Sequence, residues 1–324
     1  MIVVTGGAGF IGSAFVWKLN QEGIRDIVIV DNLYTSTKWE NLVGLRYHHY
    51  FHRDDFIQKI LSDELDFNIS AVFHFGACST TIESDMDFLM ENNFRYTQTL
   101  ASWCIQHHIY FLYASSAATY GNGEHGFEDK HDDLYTLKPI NRYGYSKHLF
   151  DLHALQNNWL DTIVGLKFFN VFGPNEYHKK EMRSIACKSY PQILETHTMR
   201  LFKSYHPDYV DGGQKRDFIY VKDCIDIVWW LYKNPAISGL FNVGTGEART
   251  WNDLAHALFS AMDMAPNIDY FDMPDSLKGQ YQYYTAANMI KLKKAGYKHP
   301  FTSLEDALKD YVQHYLSRSL AYLD

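Results

Sequence analysis

Basic charge, paired cysteines and long apolar runs are what this chain is short of. Its 324 residues carry a formal net charge of −8. That argues against bulk nucleic-acid binding and docking on an acidic membrane, so any phosphorylated ligand needs basic residues gathered locally. The four cysteines, Cys78, Cys104, Cys187 and Cys224, stand far apart with no CxxC among them. Neither a zinc ribbon nor a dithiol motif is supported, and a chain of this length builds its core without disulfides. His48, His49 and His52 fall close together, but no acidic or cysteine partner has metal-site spacing. They read as surface or packing histidines, and no metal is expected. No uninterrupted apolar run approaches membrane-spanning length. The opening MIVVTGG enters a strand at once, with neither a basic n-region nor a cleavage site. A cytoplasmic protein without nucleic-acid or membrane partners is expected.

Aromatic rings, by contrast, are plentiful: 24 Tyr and 21 Phe bring the aromatic share, Trp included, to 16%. They suit a ring-rich core and a surface that stacks on sugars or bases. Hydrophobic residues at 46% and charged residues at 21% are ordinary for a soluble globular enzyme. The length suggests about two domains.

Apolar β-branched runs alternate with helical patterns through the first half. Ile2–Val4, Ile27–Val30, Ala71–Phe75 and Tyr110–Tyr113 read as strands, and Thr162–Phe168 adds another. Continuous runs of this kind suit a parallel sheet covered on both faces. Between the first two, Ile11, Phe15 and Leu19 recur at helical spacing, and Gly23 marks the stop. The repeated β-α-β unit predicts an α/β fold with a doubly wound parallel (Rossmann) sheet. We expect residues 1–173 to form the nucleotide-binding domain. Beyond Gly173-Pro174 the pattern is less regular and more aromatic, so residues 174–324 should form mainly a smaller substrate-binding domain. The strand-like Asp217–Val221 and Gly239–Val243 are expected to rejoin the nucleotide side.

TGGAGFIG joins the first strand to the first helix. Gly6 permits a tight turn, Gly9 lets backbone approach a pyrophosphate, and Gly12 allows close helix–strand packing. The helix N-terminus then offers free N–H groups to the phosphates. This is the pattern of a dinucleotide site. Asp31 ends the second strand about 20 residues on, where an acidic side chain accepts from ribose hydroxyls and favours NAD. Asn32, Lys38 and Arg53 can instead gather around the 2′-phosphate of NADP, so spacing leaves both cofactors open. In RYGYSK (Arg142–Lys147), Tyr143 and Lys147 lie four apart and share one helical face, while Tyr145 points elsewhere. An ammonium beside a phenol lowers the phenol's pKa from about 10 toward neutrality, which would fit Tyr143 to take a proton from an alcohol.

Together TGGAGFIG, ASSAATYG (Ala114–Gly121) and YGYSK resemble the extended short-chain dehydrogenase/reductase superfamily. Further segments narrow the resemblance to its ADP-heptose 6-epimerase family: HFGACSTT (His74–Thr81), FFNVFGPNEYHKKEM (Phe168–Met182), KRDFIYVKD (Lys215–Asp223), FNVGTG (Phe241–Gly246) and LKGQYQ (Leu277–Gln282). The resemblance implies that Phe10, Ile11, Asp31, Asn32, Lys38 and Arg53 line the adenosine half of NADP. It implies that Gly76, Ala77, Cys78 and Ser79 follow the cofactor by backbone. Asn92 and Lys147 would hold its ribose region, with Val171 and Lys179 near the nicotinamide end. Phe75 stands where the family often has a polar residue, and Lys180 and Glu181 replace smaller ones.

On this reading Ser116 orients and polarises the substrate oxygen, Tyr143 exchanges its proton, and Lys147 both binds ribose and depresses the Tyr143 pKa. Ser116 is followed by Ala117-Ala118, where the superfamily's 4,6-dehydratases carry an Asp-Glu pair; without that pair an epimerase or a simple dehydrogenase remains. The family places a lysine at Lys179 as a second base, a task a desolvated lysine suits. The alternative for Lys179 is a phosphate-binding or surface lysine. Substrate positions implied by the resemblance are Asn170, Glu181, Phe202 and Tyr281. Arg216, Lys188 and Lys203 are the basic residues for a diphosphate, with the guanidinium the strongest because it grips bidentately. The expected activity is inversion of C6 of an ADP-heptose through a 6-keto intermediate, feeding lipopolysaccharide core assembly, by a homo-oligomer. A UDP-hexose 4-epimerase and a non-catalytic NADP-binding redox sensor are the competing readings.

Overall fold

A computed structural model of the chain describes residues 1–278, 281–319 and 321–324, leaving aside the side chains of Ser276 and Leu277. Gly279 and Gln280 of the LKGQYQ segment, and the side chain of Leu277, therefore lie outside what is described. The first half runs β1 (Ile2–Thr5), α1 (Phe10–Gln21), β2 (Ile27–Asp31), β3 (His49–His52), α2 (Arg53–Ser62) and β4 (Ala71–His74). The short α3 (Met86–Leu89) passes through a π-helical turn into α4 (Tyr96–Gln106), followed by β5 (Tyr110–Ser116), α5 (Arg142–Gln156) and β6 (Val164–Phe168). Then come β7 (Asn170–Phe172), α6 (Ile185–Thr196), β8 (Met199–Phe202), β9 (Lys215–Tyr220), α7 (Val221–Lys233), β10 (Gly239–Val243) and β11 (Ala248–Thr250). The chain closes with α8 (Trp251–Ala261), β12 (Ile268–Phe271), α9 (Asp275–Lys278), α10 (Ile290–Ala295) and α11 (Leu304–His314).

The apolar runs form one parallel sheet in the order β10-β6-β5-β4-β1-β2-β3. β1, β2, β4, β6 and β10 are buried along their whole length. Helices on both faces account for that, with α1 packed against α7 and with α4 and α5 packed on β5. Strand order reverses at β1, whose neighbours are β2 and β4. In an open α/β sheet the crevice at such a reversal, beyond the carboxyl ends of the strands, is where ligands bind. Thr5 pairs with His74 in register, which sets the glycine loop beside the GACS segment.

β10 does rejoin the large sheet, beside β6. β9 does not: it lies between β11 and β7 in a three-stranded sheet of its own. β7 follows β6 after a single residue, Phe169, and leads the chain out of the large sheet at its carboxyl edge. A third, two-stranded sheet pairs β12 with β8. Of His48, His49 and His52, read from sequence as surface or packing histidines, the last two are the end residues of the edge strand β3 and His48 directly precedes it. Among the described residues no helix is long and apolar enough to cross a membrane.

Asp217 joins the small sheet to the large one. Its buried carboxylate accepts from Thr245 N–H and Oγ1–H, both at 2.8 Å, and from Gly246 N–H and Ala287 N–H, both at 2.9 Å. Asp217→Ala leaves three backbone N–H groups without that acceptor; Ala287 is buried, Thr245 half-buried and Gly246 exposed, and one left buried and unsatisfied costs about 1–3 kcal/mol. The urea midpoint should fall by an amount equivalent to about 2 kcal/mol at constant slope. An unchanged midpoint would contradict this reading.

Candidate active site

The glycine loop is shaped by close approach. Gly6 adopts φ +66°, and a Cβ on Gly12 would lie 2.1 Å from the Gly6 carbonyl oxygen, so a side chain there would displace the helix from the loop. α1 starts at Gly9 with no side-chain cap, which leaves its first N–H groups facing the crevice. Around this loop runs a cavity of about 810 Å³, with a smaller one of about 230 Å³ adjoining it through Gly6, Asp31, Tyr34, Lys38 and Gly76–Cys78.

The smaller cavity gathers Asp31, Asn32, Lys38, Arg53 and Asn92. The Asp31 carboxylate is already engaged: it accepts from Ala8 N–H at 2.8 Å, Asn32 N–H at 2.6 Å and Lys38 Nζ at 2.6 Å. Arg53 donates to Asn92 Oδ1, and its Nε to Asp54 at 3.1 Å. Asn32 Oδ1 is buried without a protein partner. An orphaned acceptor beside two cations and a neutralised carboxylate fits the adenosine end of a dinucleotide.

In the larger cavity the sequence-derived residues meet: Phe10, Ile11, Gly76–Ser79, Ser116, Tyr143, Lys147, Asn170, Val171, Lys179 and Lys188 all line it. Tyr143 and Lys147 project from one face of α5 into it, whereas Tyr145 is 46% exposed on another. Gly144 between the tyrosines has its own reason: a Cβ there would lie 2.6 Å from the Ala118 carbonyl oxygen. The first turn of α5 thus sits directly on the turn that follows Ser116, whose Oγ accepts from Ala118 N–H at 3.1 Å.

The expected lowering of the Tyr143 pKa by its lysine neighbour is not found. Burial raises the phenol above its ordinary value, its hydrogen bond with Ser116 draws it down, and Cys78 raises it again. Loss of water outweighs charge here, because Lys147 Nζ turns to the Ala114 carbonyl oxygen at 2.8 Å. Burial in turn pulls the Lys147 ammonium down to about 8, against the upward pull of Asp151 and Cys78. Lys179 is likewise lowered by burial, with Glu176 raising it. Its Nζ stands 5.4 Å over the Phe10 ring, on the glycine-loop side of the cavity.

The remaining substrate candidates do not line this cavity. Arg216, Phe202 and Tyr281 form an aromatic cluster behind Trp251, which does line it. The Arg216 guanidinium lies 5.2 Å over Tyr281 and 5.8 Å over Trp251, and Trp251 Nε1 donates to the Tyr281 hydroxyl at 3.0 Å. Phe202 meets Tyr281 edge-on at 6.3 Å. Lys203 pairs with Asp272 at 3.3 Å near the surface. Glu181 is exposed, and its carbonyl accepts from Lys188 Nζ at 3.2 Å. Among the described residues no group of His, Cys, Asp and Glu is placed to hold a metal ion.

Sequence reasoning missed the charge network behind the site. Asp151, fully buried, accepts from Tyr113 OH at 2.9 Å, Ser115 Oγ at 2.7 Å and Lys167 Nζ at 2.7 Å. Lys167 also donates to Thr119 Oγ1 at 2.6 Å, and Thr119 to the Ser116 carbonyl at 2.8 Å. The signal was present: Tyr143, Lys147 and Asp151 follow one another at helical spacing, and Lys167 is a lone lysine in an apolar strand.

Fold, crevice and polar set together define an enzyme site built beside a dinucleotide crevice. Residues 2–244 match the model of the NAD dependent epimerase/dehydratase family, and the chain belongs to that family. The ADP-L-glycero-D-manno-heptose-6-epimerase of Nitratidesulfovibrio vulgaris strain DP4 is 58% identical to it over 100% of both chains. Among solved structures, the ADP-L-glycero-D-manno-heptose-6-epimerase of Helicobacter pylori superposes with a TM-score of 0.80 at 26% identity, covering 97% of this chain and 95% of that one. A UDP-N-acetylglucosamine 4-epimerase from Methanobrevibacter ruminantium M1, in complex with UDP-N-acetylmuramic acid, reaches 0.81 at 25% identity over 98% of each chain. Fold likeness does not separate the two chemistries; sequence identity does.

Exchanging the two tyrosines of RYGYSK tests the face assignment. Tyr143→Phe removes the hydroxyl inside the cavity and should lower epimerase turnover by about 10²–10⁴, while Tyr145→Phe should stay close to wild type. Equal turnover numbers for the two variants would overturn it.

Proposed function

We propose that this protein is an isomerase that inverts C6 of ADP-D-glycero-D-manno-heptose, giving ADP-L-glycero-D-manno-heptose for lipopolysaccharide core assembly, with NADP as cofactor. The observation that carries the substrate is the 58% identity, across both whole chains, to a relative of that name. A homo-oligomer belongs to the same reading, and sedimentation equilibrium tests it.

The nicotinamide cofactor, when bound, supplies the acceptor and donor of the C6 hydride. Ser116 Oγ orients the C6 oxygen, and Tyr143 takes its proton as the 6-keto sugar forms. Inversion requires that the keto group be met again in a second orientation, with a proton donor on that side. Lys179 serves this role: it comes from a different element than Tyr143, lines the same cavity, and is lowered by burial toward the range where it exchanges a proton. Ala117 and Ala118 offer no acid or base for eliminating water, which favours epimerisation over dehydration.

NADP is favoured over NAD by the charge at the adenosine end. Lys38 and the backbone of Ala8 and Asn32 already occupy the Asp31 carboxylate, so a 2′-phosphate meets Arg53 and Lys38 rather than a free anion. Identification of the nucleotide that copurifies tests this directly, and NAD alone would refute it. Arg53→Ala should weaken NADP about 10–100-fold relative to NAD, the worth of a charge-assisted hydrogen bond.

Lys179→Met tests the second base. It should keep its cofactor and its KM for ADP-heptose, and lose turnover about as much as Tyr143→Phe. A raised KM at nearly unchanged kcat is the signature of lost uniform binding, and would make Lys179 a binding lysine. Turnover of a UDP-hexose but not of ADP-heptose would replace the substrate assignment by a UDP-hexose 4-epimerase.

A further inference from the structure

Lys179 stands on a loop that leaves β7 at Gly173 and ends at Ser184, the N-cap of α6. One side chain touches both ends. Glu176 is 1% exposed, and its Oε1 accepts from Gly173 N–H at 3.2 Å and from Ser184 Oγ–H at 2.7 Å. Its Oε2 accepts from Ser184 N–H. The Tyr311 hydroxyl of α11, itself buried, donates to Oε1 at 3.2 Å. The carboxylate therefore closes the neck of the loop and ties it to the C-terminal helix. From the same residue, the Glu176 carbonyl accepts Lys179 N–H at 3.0 Å.

Within the loop the backbone is held where side-chain-bearing residues rarely go. Lys180 has φ +50° and ψ −119°, and Asn175 has φ +76°. Such conformations persist only where the surroundings over-determine them. Asn175 is fixed from α1 and the tail: its Nδ2 donates to Ser13 Oγ at 2.9 Å, and its Oδ1 accepts from Leu323 N–H at 3.0 Å. Those contacts hold the base of the loop. They do not join its two ends, which Glu176 alone spans among the contacts described. A carboxylate suits this place because all its partners are donors; an amide would turn its own N–H₂ toward one of them.

We propose that Glu176 is a positioning residue, which closes the Gly173–Ser184 loop at its neck and so presents Lys179 to the substrate. The inference rests on the reading of Lys179 as the second base. Glu176 does not line the cavity; it acts on Lys179 by holding the loop, in addition to the pull of its charge, which raises the Lys179 ammonium.

The test combines Glu176→Gln with Lys179→Met. Glu176→Gln should fold and retain its nucleotide, keep its KM for ADP-heptose within about two-fold, and lose kcat by about 10²-fold, the cost of misplacing a reacting group by an ångström. Placed in the Lys179→Met background, it should cost nothing further, because it acts through a side chain no longer there. The same kcat loss in both backgrounds, or no kcat loss beside an inactive Lys179→Met, overturns the proposal. Lys179→Met with unchanged kcat retires the second base instead, whatever Glu176→Gln does. Should Glu176→Gln not fold, Tyr311→Phe removes one donor from outside the loop. A several-fold loss of kcat only when Lys179 is present supports the proposal, and an equal loss in both backgrounds, or none, overturns it.

Discussion

The buried pair of Asp151 and Lys167 is the constraint on which the reaction site depends. Both side chains are wholly removed from solvent, at 2.7 Å from each other. Desolvating two such charges costs several kcal/mol per ion, offset only where good geometry and further hydrogen bonds complete the pair. Here the completion comes from the elements that need aligning. Asp151 belongs to α5, Lys167 to β6, and Tyr113 and Ser115 to β5, while Thr119 belongs to the turn after Ser116. Helix, strands and turn must meet in one arrangement, or a charge is left bare at about 3–5 kcal/mol. That arrangement is the one in which Ser116, Tyr143 and Lys147 converge.

An acidic protein must also hold a polyanionic cofactor and substrate. It does so by local cancellation. Asp31, the acidic residue nearest the phosphate loop, is turned inward to brace that loop through Ala8 N–H and is paired with Lys38. The uncapped start of α1 adds a positive dipole end. Farther along, the Arg216 guanidinium is kept among Tyr281 and Trp251 rings rather than beside a carboxylate. Cation–π contact stabilises it without using the charge that an anion would meet. The whole-chain charge therefore says little about the crevice.

Much of this was legible in the sequence, for reasons of period. Buried parallel strands are continuous apolar runs, so β1, β2, β4, β5 and β6 announce themselves. Helical spacing alone separates Tyr143 from Tyr145. Other features depend on contacts between distant residues. Lys215–Tyr220 has strand chemistry, but nothing local says whether it joins the large sheet or pairs with Asn170–Phe172, as it does. The effect of Lys147 on Tyr143 was misjudged because spacing reports proximity, whereas the phenol responds first to burial. Nothing local in GPNEYHKKEM marks Glu176; its contacts appear only once Gly173, Ser184 and Tyr311 are seen around it.

The site thus has two halves of different mechanical character. Tyr143, Lys147 and Ser116 sit on a helix and a strand end locked by a buried ion pair, and a scaffold of near-equal likeness serves a 6-epimerase and a 4-epimerase. Lys179 sits on a loop outside any sheet, held by a neck contact and by lashings to α1. Hydride transfer needs a fixed geometry that any carbinol brought to it can use, which a shared scaffold supplies. Inversion at one carbon of one sugar needs a group placed according to that sugar. Loops carried on a rigid scaffold are where activities on one fold commonly differ. Regiochemistry is therefore to be sought in the loop and the aromatic cluster beyond Trp251, and not in the residues that the fold holds most firmly.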